Sequence, residues 1–184
     1  MCMVSYCLHN LFILFSFLVV KMRDDAWLET RFDQLWQLFF PDVEKRDVKI
    51  RWKGRWKNKF GHISRKDGVS QIVVNKLFRD VRVPEDVVKL TIAHEIVHYA
   101  HGFHSHLPKM FAHPHKGGIV NKELKKRGFG YALKLERQWI KQEWWKLYDE
   151  LYGAQRRVRV AQHVAARQVE ESLKPKSSLF SWWK

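Results

Sequence analysis

Two histidines and a glutamate stand close together near the middle of the chain, in the sequence His94-Glu95-Ile96-Val97-His98. On an α-helix, residues four positions apart lie on the same face, so both imidazoles can reach one zinc ion. The glutamate between them is then placed to take a proton from a water molecule beside that ion. A structural zinc site usually completes its coordination with cysteine and needs no such carboxylate. The spacing therefore predicts a catalytic zinc ion with His94 and His98 as ligands and Glu95 as general base.

The third zinc ligand must come from another part of the chain, because catalytic zinc sites combine three protein ligands with one open position. The chain has ten histidines, and seven of them fall within residues 94–115. His101 lies on the same helix face but about 10.5 Å beyond His94 along the axis, too far to share the ion. His115, in a loop with proline and glycine before a predicted helix, is the preferred third ligand. The alternatives are Glu123, His104 and His113, and His106 is interpreted as a surface residue.

These residues predict the hydrolysis of a peptide bond. Zinc lowers the pKa of its water ligand and polarises the scissile carbonyl, while Glu95 takes the proton and passes it to the leaving amine. The oxyanion needs a second stabilising group besides zinc, for which His113 and Tyr131 are candidates. The predicted cofactor is Zn²⁺, and the predicted substrate is a protein or peptide.

The motif requires a helix that other elements hold in place. Pro84-Glu85-Asp86 places a proline and two acids in a first helical turn, which predicts a helix running to about residue 100. Large apolar residues three and four apart predict an amphipathic helix at 24–40, ended by Pro41. Residues 102–118 are predicted to be a loop. Further helices are predicted at 119–127, 131–152 and 154–173.

A strand is predicted over residues 49–59, because basic residues alternate there with aromatic and other residues, and a period of two is typical of a strand. Trp52 and Trp56 share the face opposite the charges and are expected to pack in the core. Gly54 can bend this run or divide it into two strands. Another strand is predicted at 70–75, after a turn signal that ends in Gly68. The cationic face consists of Lys49, Arg51, Lys53, Arg55, Lys57 and Lys59.

The cationic face predicts contact with a polyanion. Residues 45–66 hold ten Lys and Arg and one acid, a net charge of +9, and the whole chain has 34 Lys and Arg against 19 acids, a net charge of +15. Lys and Arg neutralise phosphates without reading bases, so the expected partner is a nucleic acid bound without sequence preference. The simpler interpretation is a solvated sheet face whose charges prevent edge-to-edge aggregation.

Composition narrows the class of protein. The chain has 184 residues, of which 46% are apolar, and this excludes a disordered polybasic tail. Its two cysteines, Cys2 and Cys7, precede the predicted domain. A disulfide framework and a cysteine-based zinc ribbon are therefore excluded.

The first twenty residues carry no charge and include an apolar run from Leu11 to Val20. As a helix, this segment is long enough to cross a bilayer, and Lys21 and Arg23 behind it would leave the domain in the cytoplasm. The alternative is that Met22 is the true start, which also predicts a cytoplasmic protein. Both interpretations stay open.

The order of these features resembles that of the SprT-like zinc metalloprotease family, which includes the Spartan-type proteases of DNA–protein crosslink repair. The resemblance runs from Trp27 to Gly128 and covers an aromatic-rich leading helix, a short basic sheet with Phe60-Gly61, and the helix with the two motif histidines. Such proteins place a third histidine in a loop leading to another helix, and His115 is similar to that residue. The usual His-Gly start reads His115-Lys116-Gly117 here.

We therefore expect a zincin-like α+β domain in which a small β-sheet packs against the active-site helix. The expected segments are an apolar start at 1–21, the domain at 22–128, a helical extension at 129–173 and a flexible tail at 174–184. Two other functions stay open: a basic nucleic-acid-binding protein with a structural metal site, and a membrane-tethered metalloprotease. The second requires residues 1–20 to be inserted in a membrane.

Overall fold

The computed structural model of the chain describes residues 22–173, so the predictions for residues 1–21 and 174–184 lie outside the described part. The chain divides into two compact units, one ending at Gln142 and the other beginning at Glu143. The first unit is α+β, with a three-stranded sheet and helices, as predicted. Among residues 22–173, no helix combines the length and the apolar character needed to cross a bilayer.

The sheet consists of β1 (Val48–Lys53), β2 (Gly61–Lys66) and β3 (Val69–Asn75) in the order β1-β3-β2. β1 runs parallel to β3, and β2 runs antiparallel to it. A tight turn joins β2 to β3, and its central residues Asp67 and Gly68 have φ angles of 50° and 78°, which are typical of hairpin turns. The predicted turn is confirmed, and β2 is an edge strand.

The predicted strand over residues 49–59 is only half correct, because β1 ends at Lys53. Gly54 has a φ of 74°, and a Cβ atom there would lie 2.2 Å from the indole ring of Trp56. The chain therefore turns at Gly54, and the Trp56 ring contacts the His62 ring at 5.4 Å between centroids. Trp52 alone joins the buried core. The strand carries three of the six predicted charges: Lys49, Arg51 and Lys53.

Helix α1 (Asp25–Phe39) supplies the aromatic layer beneath the motif helix. The Asp24 carboxylate caps it by accepting the Trp27 backbone N–H at 2.7 Å. Before it, the buried Arg23 guanidinium donates to the carbonyls of Phe78, Asp80 and Val83 at 2.8, 2.9 and 2.8 Å. These bonds tie the start of α1 to the segment that leads into the motif helix.

Helix α2 (Glu85–Ala100) carries the two motif histidines, and it packs against α1, β2 and β3. Pro84 precedes it, and Glu85 and Asp86 stand in its first turn, where acids interact favourably with the helix dipole. Most of its residues are buried, including Leu90, Ile92, Ile96 and Tyr99. Such a helix is held by packing on several sides, so its side chains keep a fixed direction.

A long loop and two helices complete the first unit. After α2, the loop ends in a 3₁₀ turn at Lys116–Gly118, followed by α3 (Ile119–Lys126) and α4 (Gly130–Trp139). Both α3 and α4 pack against α2. The helix predicted over 131–152 is interrupted by a π-helical turn at Ile140–Trp144. In such a turn the backbone hydrogen bonds join residues five apart instead of four.

The second unit contains α5 (Trp145–Tyr148), a π-helical turn at Asp149–Gly153 and α6 (Ala154–Leu173). Trp144, Tyr148 and Tyr152 make edge-on ring contacts, with centroids 5.8 and 6.0 Å apart. The aromatic stripe therefore serves packing, as its four-residue spacing suggested. The side chains of residues 156–173 are exposed.

Candidate metal centre

Three histidine rings meet beside α2. His94 and His98 come from successive turns of the helix, and His115 comes from the loop that follows it. The ring centroids are 4.8 Å apart for His94 and His98, 5.6 Å for His94 and His115, and 4.7 Å for His98 and His115. One ring nitrogen of each lies within 4.8 Å of the others. Nitrogen ligands of one tetrahedral zinc ion stand about 3.3 Å apart at Zn–N bonds of about 2.0–2.1 Å, so this group could hold one ion once its rings draw together.

Glycines at both ends of the loop allow it to bring His115 back to the helix. At the first end, Gly102 has a φ of 78°, and a Cβ there would lie 2.3 Å from the Pro108 carbonyl oxygen. The Phe103 backbone N–H donates to the His98 carbonyl at 2.9 Å, which fixes the reversal. At the other end, Gly117 and Gly118 adopt φ angles of 70° and 65° before α3 begins. Left-handed conformations of this kind favour glycine.

The other candidate ligands lie in different places. His104 lines the same cavity without joining the three-nitrogen cluster, and His113 is exposed and is not among the cavity's lining residues. The Glu123 carboxylate accepts a hydrogen bond from Arg127 at 2.9 Å. His106 is half-buried rather than at the surface, with ring contacts to the Tyr99 hydroxyl at 3.0 Å and Glu44 at 3.2 Å. The assignment of His115 as third ligand stays a prediction, and it is the one that this geometry favours.

The three rings stand in an open cavity whose other wall is the edge of the sheet. Tyr131, a predicted oxyanion stabiliser, is 73% exposed and is not among the lining residues. Lys59, which the sequence assigns to the cationic face, and His62 of β2 also supply polar groups to the cavity. The sequence pattern does not single out His62, because it predicts no strand over residues 61–66. The lining residues are Lys59, Gly61, His62, Ile63, His94, Glu95, His98, Phe103, His104, Pro114 and His115.

Burial keeps two of the imidazoles neutral. It lowers the pKa of His94 to about 4, with a further contribution from His115. Burial also lowers the pKa of His98 to about 3, and the neighbouring histidines act in the same direction. Neutral imidazole is the form that binds metal ions.

The donor set fits zinc. One ring nitrogen from each of the three histidines belongs to the cluster, and neutral imidazole nitrogen is a common zinc ligand. Three nitrogen donors also leave the fourth tetrahedral position open, as in catalytic zinc sites.

Glu95 lies on the buried side of the cavity, and only 5% of its surface is exposed. Burial raises the pKa of its carboxyl group to about 8, while the nearby Lys59 ammonium acts in the opposite direction. Without a metal ion the carboxyl therefore keeps its proton at pH 7, and the positive charge of an ion bound to the nearby histidines would favour the ionised form that a general base needs.

Comparison with known proteins identifies one family. The sequence model of the SprT-like family matches residues 28–125, which is more than half of the chain. No curated protein and no solved structure gave a match. The matched segment contains the sheet, α2, the loop and all three histidines of the cluster.

Proposed function

This chain belongs to the SprT-like family, a family of the zincin-like metalloprotease type, and from this membership and the geometry of the histidine cluster we propose that it is a zinc-dependent peptidase. The proposed fold is correspondingly zincin-like, with the sheet edge and α2 on opposite sides of the substrate cleft. The proposed ligands are His94, His98 and His115, and the proposed general base is Glu95.

One observation carries the proposal: three histidine nitrogens within 4.8 Å of one another share a cavity with a buried glutamate. A structural metal site has no need of a carboxylate beside it or of an open approach. Here the cluster and Glu95 line one open cavity, and Gly61, His62 and Ile63 of the sheet edge form its other wall. A peptide can therefore approach both the cluster and Glu95.

The proposed chemistry divides between the metal and the chain. When bound, zinc supplies a Lewis acid that polarises a carbonyl group and lowers the pKa of a water ligand to about 7. Glu95 accepts the proton of the attacking water and delivers it to the departing amine. Lys59 and His62 are the polar side chains on the opposite wall of the cavity, placed to orient the substrate's carbonyl groups.

The substitution Glu95→Gln tests this function. It removes the base and keeps the size of the side chain, so zinc content should be unchanged while cleavage of casein or a fluorogenic peptide falls by about 100-fold or more, within the range of general-base effects. Zinc content is measured by mass spectrometry of the full chain. The exposed Glu29→Gln is the control and should retain full activity. Undiminished proteolysis by Glu95→Gln would reject the mechanism.

A second proposed property, association with nucleic acid, is supported by the exposed cations of β1. Lys49, Arg51 and Lys53 point to one face of the sheet, and all three are exposed. Arg55, Lys57 and Lys59 follow in the loop and add charge nearby. If nucleic-acid binding were the whole function and the metal purely structural, Glu95→Gln would keep its bound zinc and lose no function.

A further inference from the structure

We propose that Gly61, the first residue of β2, is a positioning residue for Glu95: the missing side chain at this point of the edge strand admits the glutamate carboxylate to its place beside the three histidines. The expected effect of Gly61 on catalysis rests on the proposed function, whereas the contact between Gly61 and Glu95 does not. Gly61 and Glu95 both line the cavity, and they come from different elements that pack against each other.

The contact is tight on three sides. A Cβ atom added to Gly61 would lie 2.9 Å from Oε1 of Glu95, 2.9 Å from Cγ2 of Thr91 and 3.1 Å from the carbonyl oxygen of Val73. Ordinary contacts of a Cβ atom lie at 3.4–4 Å, and real Cβ atoms essentially never approach another atom within 3.0 Å. Any side chain at this position therefore forces at least one neighbour to move.

Two of the three neighbours are held in place. Val73 belongs to β3, and Gly61 pairs with the adjacent Val74 in the antiparallel ladder, so the carbonyl moves only if the sheet does. Thr91 is buried, and its hydroxyl donates to the Val87 carbonyl at 2.9 Å, which fixes the direction of Cγ2. The Glu95 carboxylate is the flexible end of a longer side chain next to open space. It is the group that an alanine at position 61 would displace, toward the cavity.

The backbone at Gly61 does not itself require glycine. Its φ angle is not among the positive values found in the described chain, so alanine can adopt this conformation. In an unstrained position, replacing glycine by alanine usually stabilises a protein by restricting the unfolded chain. A loss at this position would therefore come from the contact and not from the backbone.

The first test is kinetic. Gly61→Ala should lower kcat by about 10- to 100-fold, since a displacement of about 1 Å can cost this much, while KM and zinc content stay close to those of the unchanged protein. Gly130→Ala is the matched control, because its added Cβ would meet nothing within 4 Å and its φ is also not positive. Full kcat in Gly61→Ala would overturn the inference.

The second test needs no activity and therefore separates this inference from the proposed function. The unfolding temperature is measured for the unchanged protein, Gly61→Ala, Glu95→Ala and the double variant. Gly61→Ala should lower the unfolding temperature in both backgrounds, because Thr91 and Val73 stay in place, and it should lower it by a further amount when Glu95 is present. An equal shift in both backgrounds would assign the contact to Thr91 and Val73 and overturn the role of Glu95. If Gly61→Ala fails to fold, folding of the double variant supports the inference, and failure of both rejects it.

Discussion

At the scale of the residue, the candidate site depends on burial more than on charge. Burial lowers the pKa of His94 to about 4 and that of His98 to about 3, with contributions from neighbouring histidines, and it raises the pKa of Glu95 to about 8. Buried polar groups at such positions are expensive unless they bind something. The same local environment thus prepares two imidazoles for a metal ion and a carboxyl group for proton transfer.

His115 provides the sharpest test of the ligand set. His115→Ala should lower zinc affinity by at least about 100-fold, because it removes a residue that binds the ion directly. Loss of a residue that only hydrogen-bonds to a ligand already lowers metal affinity by about 10- to 100-fold. His113→Ala, two residues away in the same loop, should leave affinity unchanged. Competition with a chromophoric chelator measures both values. Equal zinc affinity in the two variants would show that His115 is not a ligand.

At the scale of the element, the site is made by three chain segments of different character. Helix α2 is rigid because it is buried on several sides, the loop after it is shaped by glycines at both ends, and β2 offers a free sheet edge. Helix α4 also packs against α2. The position of the site residues on α2 therefore depends on the packing of α4 against this helix.

Helix α4 contributes a pH dependence through Glu136. Burial raises the pKa of this carboxyl from 4.5 to about 7, and Arg137 opposes the shift. The pKa of Glu136 is higher in the folded than in the unfolded chain. Its contribution to the free energy of unfolding is therefore fully present below pH 4.5 and is lost as the pH rises through about 7. The free energy of unfolding of the unchanged protein should therefore fall by about 1–3 kcal/mol across this window, and Glu136→Gln should not show this fall.

Urea denaturation at a series of pH values measures this effect as the difference between the variant and the unchanged protein. The exposed Glu29→Gln is the control for the loss of one negative charge. A difference that does not change with pH would show that Glu136 titrates normally in the folded protein.

At the scale of the whole molecule, the chain has a net charge of +15, whereas the cavity itself contains few charged residues. Among the residues that line the cavity, Lys59 and the buried Glu95 are the ones with an ammonium or carboxyl group. Lys49, Arg51 and Lys53, in contrast, are exposed on β1. Surface charge acts over a range of about 10 Å at moderate salt. It can attract a polyanion or steer a substrate without taking part in hydrolysis.

Salt dependence tests the polyanion proposal. Binding of a labelled oligothymidylate, measured by fluorescence anisotropy, should weaken steeply between about 50 and 200 mM salt. Changing Lys49, Arg51 and Lys53 together to Gln should reduce the slope of log affinity against log salt by about 2. The control removes the same charge elsewhere, at Lys122, Lys125 and Lys134. Equal slopes in both triple variants would show that the β1 face is not the binding surface.

The local parts of this protein were predictable because they depend on neighbours in sequence. The spacing of His94 and His98 predicts a shared helix face, the acids after Pro84 predict where α2 begins, and the turn signal that ends in Gly68 predicts the strand after it, β3. The bend at Gly54 was among the expectations, but the same reasoning failed over residues 55–59, which keep the alternation without forming a strand. The alternation of basic and other residues does not reveal that the Trp56 ring folds back over Gly54.

The sequence by itself therefore determined the motif helix, the α+β class and the resemblance to the family that the match confirmed. The tertiary structure decided which of several candidates stands beside the histidine pair, and it favours His115 over His104, His113 and Glu123. It also showed that the Glu95 carboxylate fits against Gly61. The physical reason is range: a helix face is set by residues three and four apart, whereas a loop's return and a strand's edge are set by packing between distant segments.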